Sequence, residues 1–433
     1  MGNLLPHAAT LDDWLARLEA AHPVGIDLGL ERVAEVARRM ELLTRPIATR
    51  VITVAGTNGK GSTVALLEAL ALAHGLTAAA YTSPHLLRYN ERLRLNGREA
   101  DDATLIAGFE AVEAARRVGE SISLTYFEVG TLAALWALMQ CPPDIAILEV
   151  GLGGRLDAVN VVDADVAVIT TVARDHAAYL GDDLNGIGRE KAGILRSGRP
   201  AVLGSTRLPE SVHEVVRQKG AVPFVLGGQF RRSESNAESW CWKGATVRGE
   251  TREVADLPDP GLPLDNAATA LQALLLGEVE LDAMACRRAF GEVRLPGRLQ
   301  WLGQWCLDVG HNPHAASYVA ERLASRPRRA GRTWVLLGML ADKDADGVIA
   351  ALASVADAWV TVSLEGDRAR SAADLAGRIV DRGGQVAHQA ATPVAGGGWL
   401  AERLDSEDRV LVCGSFLTVA AILAWKQAGA APA

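Results

Sequence analysis

The chain has 433 residues, 49% of them hydrophobic and 22% charged, with a formal net charge of -8 at pH 7. That length exceeds what one hydrophobic core ordinarily fills and predicts two domains. The acidic balance, without a basic stripe, argues against nucleic acid as the main partner. The five cysteines (Cys141, Cys241, Cys286, Cys306, Cys413) show no CxxC or zinc spacing and read as thiols of a reducing compartment.

Along the chain, residues 1–10 lack the basic segment and apolar run of a signal peptide. Short β-branched runs at 50–55, 77–82, 144–150 and 165–172 read as strands, and Ala/Leu-rich stretches at 62–74, 103–118 and 126–139 as helices between them. This alternation predicts an α/β fold with a mostly parallel sheet covered by helices on both faces. Residues 229–264 differ: polar, Trp-containing and strand-like in short pieces, with Pro258, Pro260 and Pro263 near the end, they predict a small antiparallel excursion. A helix follows at 265–276, and Arg294-Leu-Pro-Gly-Arg298 reads as a linker. Beyond it strands at 305–309, 333–340, 358–364, 385–388 and 409–413 alternate with helices around 315–324, 348–356 and 372–380, a second and smaller α/β domain. The apolar stretches at 130–139 and 410–425 are too short or too interrupted to cross a bilayer, so the expectation is a cytoplasmic protein with no membrane partner.

The strongest chemical signal is Val51-Ile-Thr-Val-Ala-Gly56-Thr-Asn-Gly-Lys60-Gly-Ser62, a strand entering a glycine-rich loop that opens a helix. Such a loop turns backbone N–H groups and the helix dipole toward phosphate, and a lysine there can bridge terminal phosphates. The spacing departs from GxxxxGK[ST], because Val54 stands at the first position and Gly61 separates Lys60 from Ser62. ATP phosphates call for Mg²⁺, which prefers oxygen ligands. Ser83, Glu149 and His176 each follow or end a strand, and ligands of open α/β sheets collect at the carboxyl ends of strands. Lys60, Ser83, Glu149 and His176 are therefore expected on one edge. Taken singly, Asp175-His176 is more often a surface or hydrogen-bonded pair and Glu149 is ambiguous; their joint placement carries the reading.

Eight segments in order, Gly56–Ser62, Thr82–His85, Leu124–Phe127, Leu148–Asp157, Arg189–Gly193, Leu295–Arg298, Asp308–His314 and Val412–Phe416, resemble the Mur ligase family, and within it the bifunctional dihydrofolate synthase/folylpolyglutamate synthase branch. The resemblance covers nearly the whole chain. It implies a P-loop ATPase domain at 1–293 that also binds the pterin, a linker at 294–298, and a Rossmann-like glutamate-ligase domain at 299–433, with a substrate cleft between them. On that resemblance Thr57, Asn58, Gly59, Lys60, Gly61 and Ser62 hold ATP phosphates, and Asn266, Arg298 and Asp308 are further nucleotide contacts. Ser83, Glu149 and His176 bind one Mg²⁺. Lys191 is implied to be carbamylated and to help hold a second. Asp27, Thr125, Tyr126, Phe127, Arg155 and Asp157, with His311 and His314 in a secondary role, are implied to bind substrate. Lys60, His176 and Lys191 are the implied catalytic set. The chain departs from the family pattern at Val159 and Ala177, where threonine is usual.

The implied reaction is ATP-dependent addition of L-glutamate to dihydropteroate and to reduced folates through an acyl phosphate, by a monomer. The rival readings are chain extension alone, a Mur-type ligase for another carboxylate, a P-loop kinase or NTPase, and a non-catalytic nucleotide-binding module.

Overall fold

The computed structural model describes residues 10–22, 27–175, 177–234, 239–326, 330–366 and 368–430. The chain forms two compact units, 1–294 and 295–433. Among the described residues the first unit is built on an eight-stranded sheet. Its order is Arg98–Glu99, Leu93–Leu95, Ala78–Tyr81, Ile145–Glu149, Arg50–Ala55, Val166–Ile169, Pro200–Leu203 and Val222–Val225. The last six of these run parallel, and the hairpin at 93–99 adds an antiparallel edge.

The central strands are buried along almost their whole length, as parallel strands covered on both faces must be. Their register fixes the site. Val54 lies beside Glu149, Ala55 beside Ile169, and Tyr81 beside Leu148, so four strands deliver their carboxyl ends side by side. The loop after Ala55, Ser83 just past Tyr81, and Glu149 at its strand's end thus share one edge.

Val51, Ala79, Tyr81, Ala146 and Leu148 join a core with Trp14, Phe109 and Leu132 from the helices Leu11–Ala21, Asp102–Arg116 and Tyr126–Gln140. The helix Lys60–Ala73 packs with Leu264–Leu276 and Ala283–Glu292. The expected excursion at 229–264 is an antiparallel sheet of Arg231–Glu234, Ser239–Ala245 and Thr251–Pro258. Trp242 pins it: fully buried, it donates its indole N–H to Ala268 O at 3.1 Å, on the helix that carries Asn266.

The second unit has a six-stranded sheet among the described residues, in the order Gln300–Leu302, Trp305–Leu307, Arg409–Cys413, Thr333–Leu337, Ala358–Val362 and Val386–Ala390. All but the first run parallel. Its core gathers Val335, Leu337, Trp359, Leu375, Ile379 and Leu411.

Several element boundaries differ from expectation, two of them for a plain local reason. The helix expected at 348–356 is Ala345–Leu352, because the Asp344 carboxylate accepts from Gly347 N at 2.8 Å and starts the helix earlier. The helix expected from 62 begins at Lys60, because Gly59, at φ 88°, turns the chain into it. No helix among the described residues is long and apolar enough to cross a membrane.

Replacing Trp242 with Ala removes both the packing and the indole hydrogen bond. We expect a loss of about 3–5 kcal/mol in unfolding free energy, read from the denaturant midpoint of the first unit. A midpoint unchanged within error is the contrary result.

Candidate active site

The phosphate loop is braced from behind. Thr57 N donates to Thr171 O at 2.8 Å, and Asn58 N donates to Thr171 Oγ1 at 3.0 Å. Asn58 O accepts from Thr170 Oγ1 at 2.7 Å and from Thr171 Oγ1 at 3.0 Å. Thr57 Oγ1 donates to Ala173 O and accepts from Ala173 N, each at 3.0 Å. The segment after strand Val166–Ile169 therefore holds the loop open toward its other side. Gly56 sits so tightly against Thr170 that a Cβ there would run into the threonine hydroxyl.

The helix that follows has no side-chain cap at Gly59, which leaves its N-terminal N–H groups to an anion. Lys60 curls back over the loop, donating from Nζ to Gly56 O at 3.2 Å, with Glu149 Oε1 4.0 Å away. Ser62 Oγ donates to Gly59 O at 3.1 Å and accepts from Asn266 Nδ2 at 2.8 Å. Asn266 thereby joins the loop: a Cβ on Gly59 would lie 2.8 Å from its Nδ2.

Glu149 is buried, and its carboxylate faces Gly61. Lys191, at the end of helix Leu184–Lys191, is also buried, and a water-sized cavity of about 20 Å³ connects it with Gly56, Lys60, Gly151 and Asp175. Burial first, and the charge of Lys60 second, push the Lys191 ammonium down to about 7, against the opposing pull of Asp175 and Asp157. His176 lies outside the described residues. Among those described, no group of three or more His, Cys, Asp or Glu gathers as a metal cluster. Any cation here would draw on Glu149 with the Ser83 hydroxyl and other oxygens, a donor set that suits a hard ion. A larger concavity of about 560 Å³ sits at the far end of helix Lys60–Ala73, between His74, Asp282 and Arg288, and no loop residue lines it.

Beside the phosphate edge lies an aromatic and polar wall. Thr125 caps helix Tyr126–Gln140: its hydroxyl accepts from Glu128 N at 3.2 Å, and Glu128 Oε2 accepts from Thr125 N at 2.7 Å. Tyr126 meets Tyr89 edge-on at 5.8 Å. Phe127 lies over Gly151, where a Cβ would approach its ring to 2.6 Å. Asp27 is held by Arg32, whose Nη1 donates to Asp27 Oδ2 at 2.5 Å and whose Nε donates to Glu128 Oε1 at 2.9 Å. Asp157 is buried and accepts from Leu152 N at 2.8 Å and Val159 N at 3.0 Å. Its burial outweighs those bonds and raises the carboxyl to about 6. Arg155 is half exposed and pairs with Glu190 at 2.8 Å, next to Lys191.

In the second unit the carboxyl end of strand Trp305–Leu307 delivers Asp308. This carboxylate is buried and accepts from Leu299 N at 2.9 Å and Gly310 N at 2.7 Å. Burial raises its carboxyl, against the pull of Arg298. Arg298 stacks over Phe416 at 5.3 Å, and His311 packs on the same ring at 6.3 Å. Asn312 caps helix Pro313–Ala324, which places His314 in its first turn.

Comparison with known proteins places this architecture. Residues 54–203 match the Mur ligase middle domain, and residues 297–416 match the Mur ligase, glutamate ligase domain. The dihydrofolate synthase/folylpolyglutamate synthase of Escherichia coli K12 is 44% identical over 429 residues, covering 96% of each chain. The chain belongs to the dihydrofolate synthase/folylpolyglutamate synthase family of Mur ligases. It is accordingly an ATP-dependent, amide-forming ligase.

The solved structure of E. coli FolC in complex with DHPP and ADP superposes with a TM-score of 0.92 at 43% identity, covering 98% of this chain and all (100%) of that one. A bifunctional folylpolyglutamate synthase/dihydrofolate synthase with Mn, AMPPNP and L-glutamate bound superposes with a TM-score of 0.88 at 44% identity, covering 98% of this chain and 99% of that one.

Several residues of this ligase's site escaped the sequence reading. Thr170 and Thr171 brace the loop, yet in sequence they are only the polar end of a strand. Arg32 and Glu128 join the Asp27 and Thr125 segments across 96 residues of chain, a pairing no local pattern encodes. His85 stood in a quoted motif without a role. In the structure it accepts from Arg92 Nε at 2.9 Å.

Gly56→Ala drives a methyl group into Thr170 and displaces the loop. Overpacking of this kind costs about 1–3 kcal/mol, so we expect AMPPNP affinity, measured by calorimetry, to fall by roughly 5- to 150-fold. Wild-type affinity in the variant contradicts the loop geometry.

Proposed function

We propose that this ligase joins L-glutamate to dihydropteroate and to reduced folates, as dihydrofolate synthase and folylpolyglutamate synthase, through an acyl phosphate, acting as a cytoplasmic monomer with two Mg²⁺ sites. The observation that carries the reading is the convergence of Lys60 and Glu149, just past and at two neighbouring strand ends, with Lys191, buried at the end of its helix and lowered to about 7, in a chain matched from end to end by such relatives.

In this reading the N–H groups of Gly59–Ser62 and Lys60 Nζ hold the ATP phosphates and draw charge from the γ-phosphate as the pterin-linked carboxylate attacks it in line. Ser83, Glu149 and His176 hold one cation, and Lys191, as a carbamate, adds a carboxylate for the second. Bound Mg²⁺ supplies further neutralisation of the phosphate charge. Asn266 orders the loop through Ser62, and Arg298 and Asp308 serve the nucleotide. Asp27, Thr125, Tyr126, Phe127, Arg155 and Asp157 form the pterin side: Phe127 offers a ring face, and Asp157 a buried carboxylate able to accept from the pterin amino group. His311 and His314 serve substrate in the second unit. The glutamate amine then displaces phosphate from the acyl phosphate, with the oxyanion stabilised beside His176.

The direct test is ADP release by the purified protein with glutamate, comparing dihydropteroate with a reduced folate. Both are expected to support turnover, and Lys60→Ala to abolish it by at least about 100-fold while the melting temperature holds. Silence with dihydropteroate reduces the function to chain extension; turnover without glutamate points to a plain NTPase.

The second test concerns Lys191. Carbamate formation needs the neutral amine, and a lysine lowered to about 7 is mostly neutral above that pH and charged below it. With ¹³C-bicarbonate, an NMR carbamate signal is expected near pH 8, fading below pH 7 and missing in Lys191→Arg. A signal that persists in Lys191→Arg refutes the assignment.

A further inference from the structure

An arginine withdrawn from water ordinarily keeps a carboxylate partner, since a desolvated guanidinium without one is unfavourable. In this unit Arg32 pairs with Asp27 and Glu128, Arg39 with Glu35, Arg94 with Glu68, and Arg116 with Glu113. Arg92 departs from the rule. It is 9% exposed, and its partners are a neutral nitrogen and two ring faces. Nε donates to His85 Nδ1 at 2.9 Å, and Cζ lies 5.0 Å from the Tyr89 ring centroid and 5.3 Å from that of Tyr126. Among the described residues no carboxylate reaches ion-pairing distance of it. Among the described residues its two Nη groups donate to no acceptor, and they are not sealed from solvent.

The position of this cation is informative. Tyr126 is followed by Phe127, whose ring covers Gly151, and His85 lies two residues beyond Ser83. The guanidinium therefore packs on the aromatic wall, and the backbone of Arg92, whose carbonyl accepts from Thr82 N at 2.8 Å, runs beside the strand end that leads to Ser83. The tyrosine rings pack against it and compensate part of its desolvation, while the open Nη fork matches the two oxygens of a carboxylate.

We propose that Arg92 is a substrate-binding residue that receives the carboxylate of the pterin acid, a role resting on the pterin-acid reading above. The phosphates already have the Gly59–Ser62 loop and Lys60, beyond the end of another strand. Rings flanking a cation suit an aryl carboxylate, whose own ring continues the stack.

The test is a fluorescence titration of the full-length protein, with MgAMPPNP present, comparing dihydropteroate with the carboxylate-free 6-hydroxymethyl-7,8-dihydropterin. Arg92→Met is expected to weaken dihydropteroate by about 10- to 100-fold and the carboxylate-free pterin by less than about twofold. Arg92→Lys, which keeps the charge between the rings but loses the fork, should weaken dihydropteroate by about 3- to 10-fold and carries the comparison should the Met variant not fold. Equal weakening of both pterins, no weakening of either, or a loss confined to AMPPNP overturns the role of Arg92. A wild-type protein that binds the carboxylate-free pterin but not dihydropteroate also overturns it. Wild-type protein that binds neither pterin overturns the substrate reading itself, a result the variants are not needed to see.

Discussion

Two lysine side chains, Lys60 at the start of one helix and Lys191 at the end of another, lie within electrostatic reach of each other, and Lys191 is buried. Like charges so placed cannot both be kept without counter-charge. The protein supplies part of it, through Glu149 near Lys60 and Asp157 and Asp175 near Lys191. The uncapped helix N-terminus adds further positive potential on the same side. The remainder falls to what binds there. A polyphosphate at the loop would bring negative charge, and a lysine lowered to about 7 can give up its own positive charge. The net charge of -8 for the whole chain is no obstacle, because these groups act within a few ångströms in a partly desolvated site.

Such a site works only when its donors are fixed beforehand, since a loop that must be ordered on binding gives back part of the interaction energy. The bracing by Thr170 and Thr171 meets that need. Both hydroxyls donate to one carbonyl, Asn58 O, while Thr57 is tied at N and Oγ1 to the same segment. Asn266 secures the far end through Ser62. The Asn266 helix is in turn held by Trp242 of the small antiparallel sheet. That excursion in the chain is thereby connected to the phosphate loop by two hydrogen bonds and one helix.

The parts of this arrangement visible in the sequence are those with local causes. A strand entering a glycine-rich turn announces the loop, and near-continuous apolar runs announce parallel strands buried on both faces. The short strands Pro200–Leu203 and Val222–Val225 carry too few residues and a proline each, so periodicity does not reveal them. The helix Glu31–Arg39 is mostly charged, and only Val33, Val36 and Ala37 mark its buried side. Lys191 shows the same limit in the site. In sequence it is a lysine beside a glutamate, as on any solvated helix; its low proton affinity arises from burial and from Lys60, 131 positions away in sequence.

The wall beside the phosphate edge separates two uses of arginine. Arg32 is saturated: Asp27 and Glu128 take its donors, and through them it fixes two stretches of chain with no positive charge left over. Such a network specifies shape and leaves its arginine no donor for an anionic ligand. Arg92 is bounded instead by Tyr89, Tyr126 and a histidine nitrogen, none of which carries negative charge at neutral pH. Rings and a neutral acceptor hold a guanidinium in place without neutralising it. One arginine therefore sets the geometry of the wall while the other leaves it positively charged, and the two differ only in whether the fold brought a carboxylate within reach.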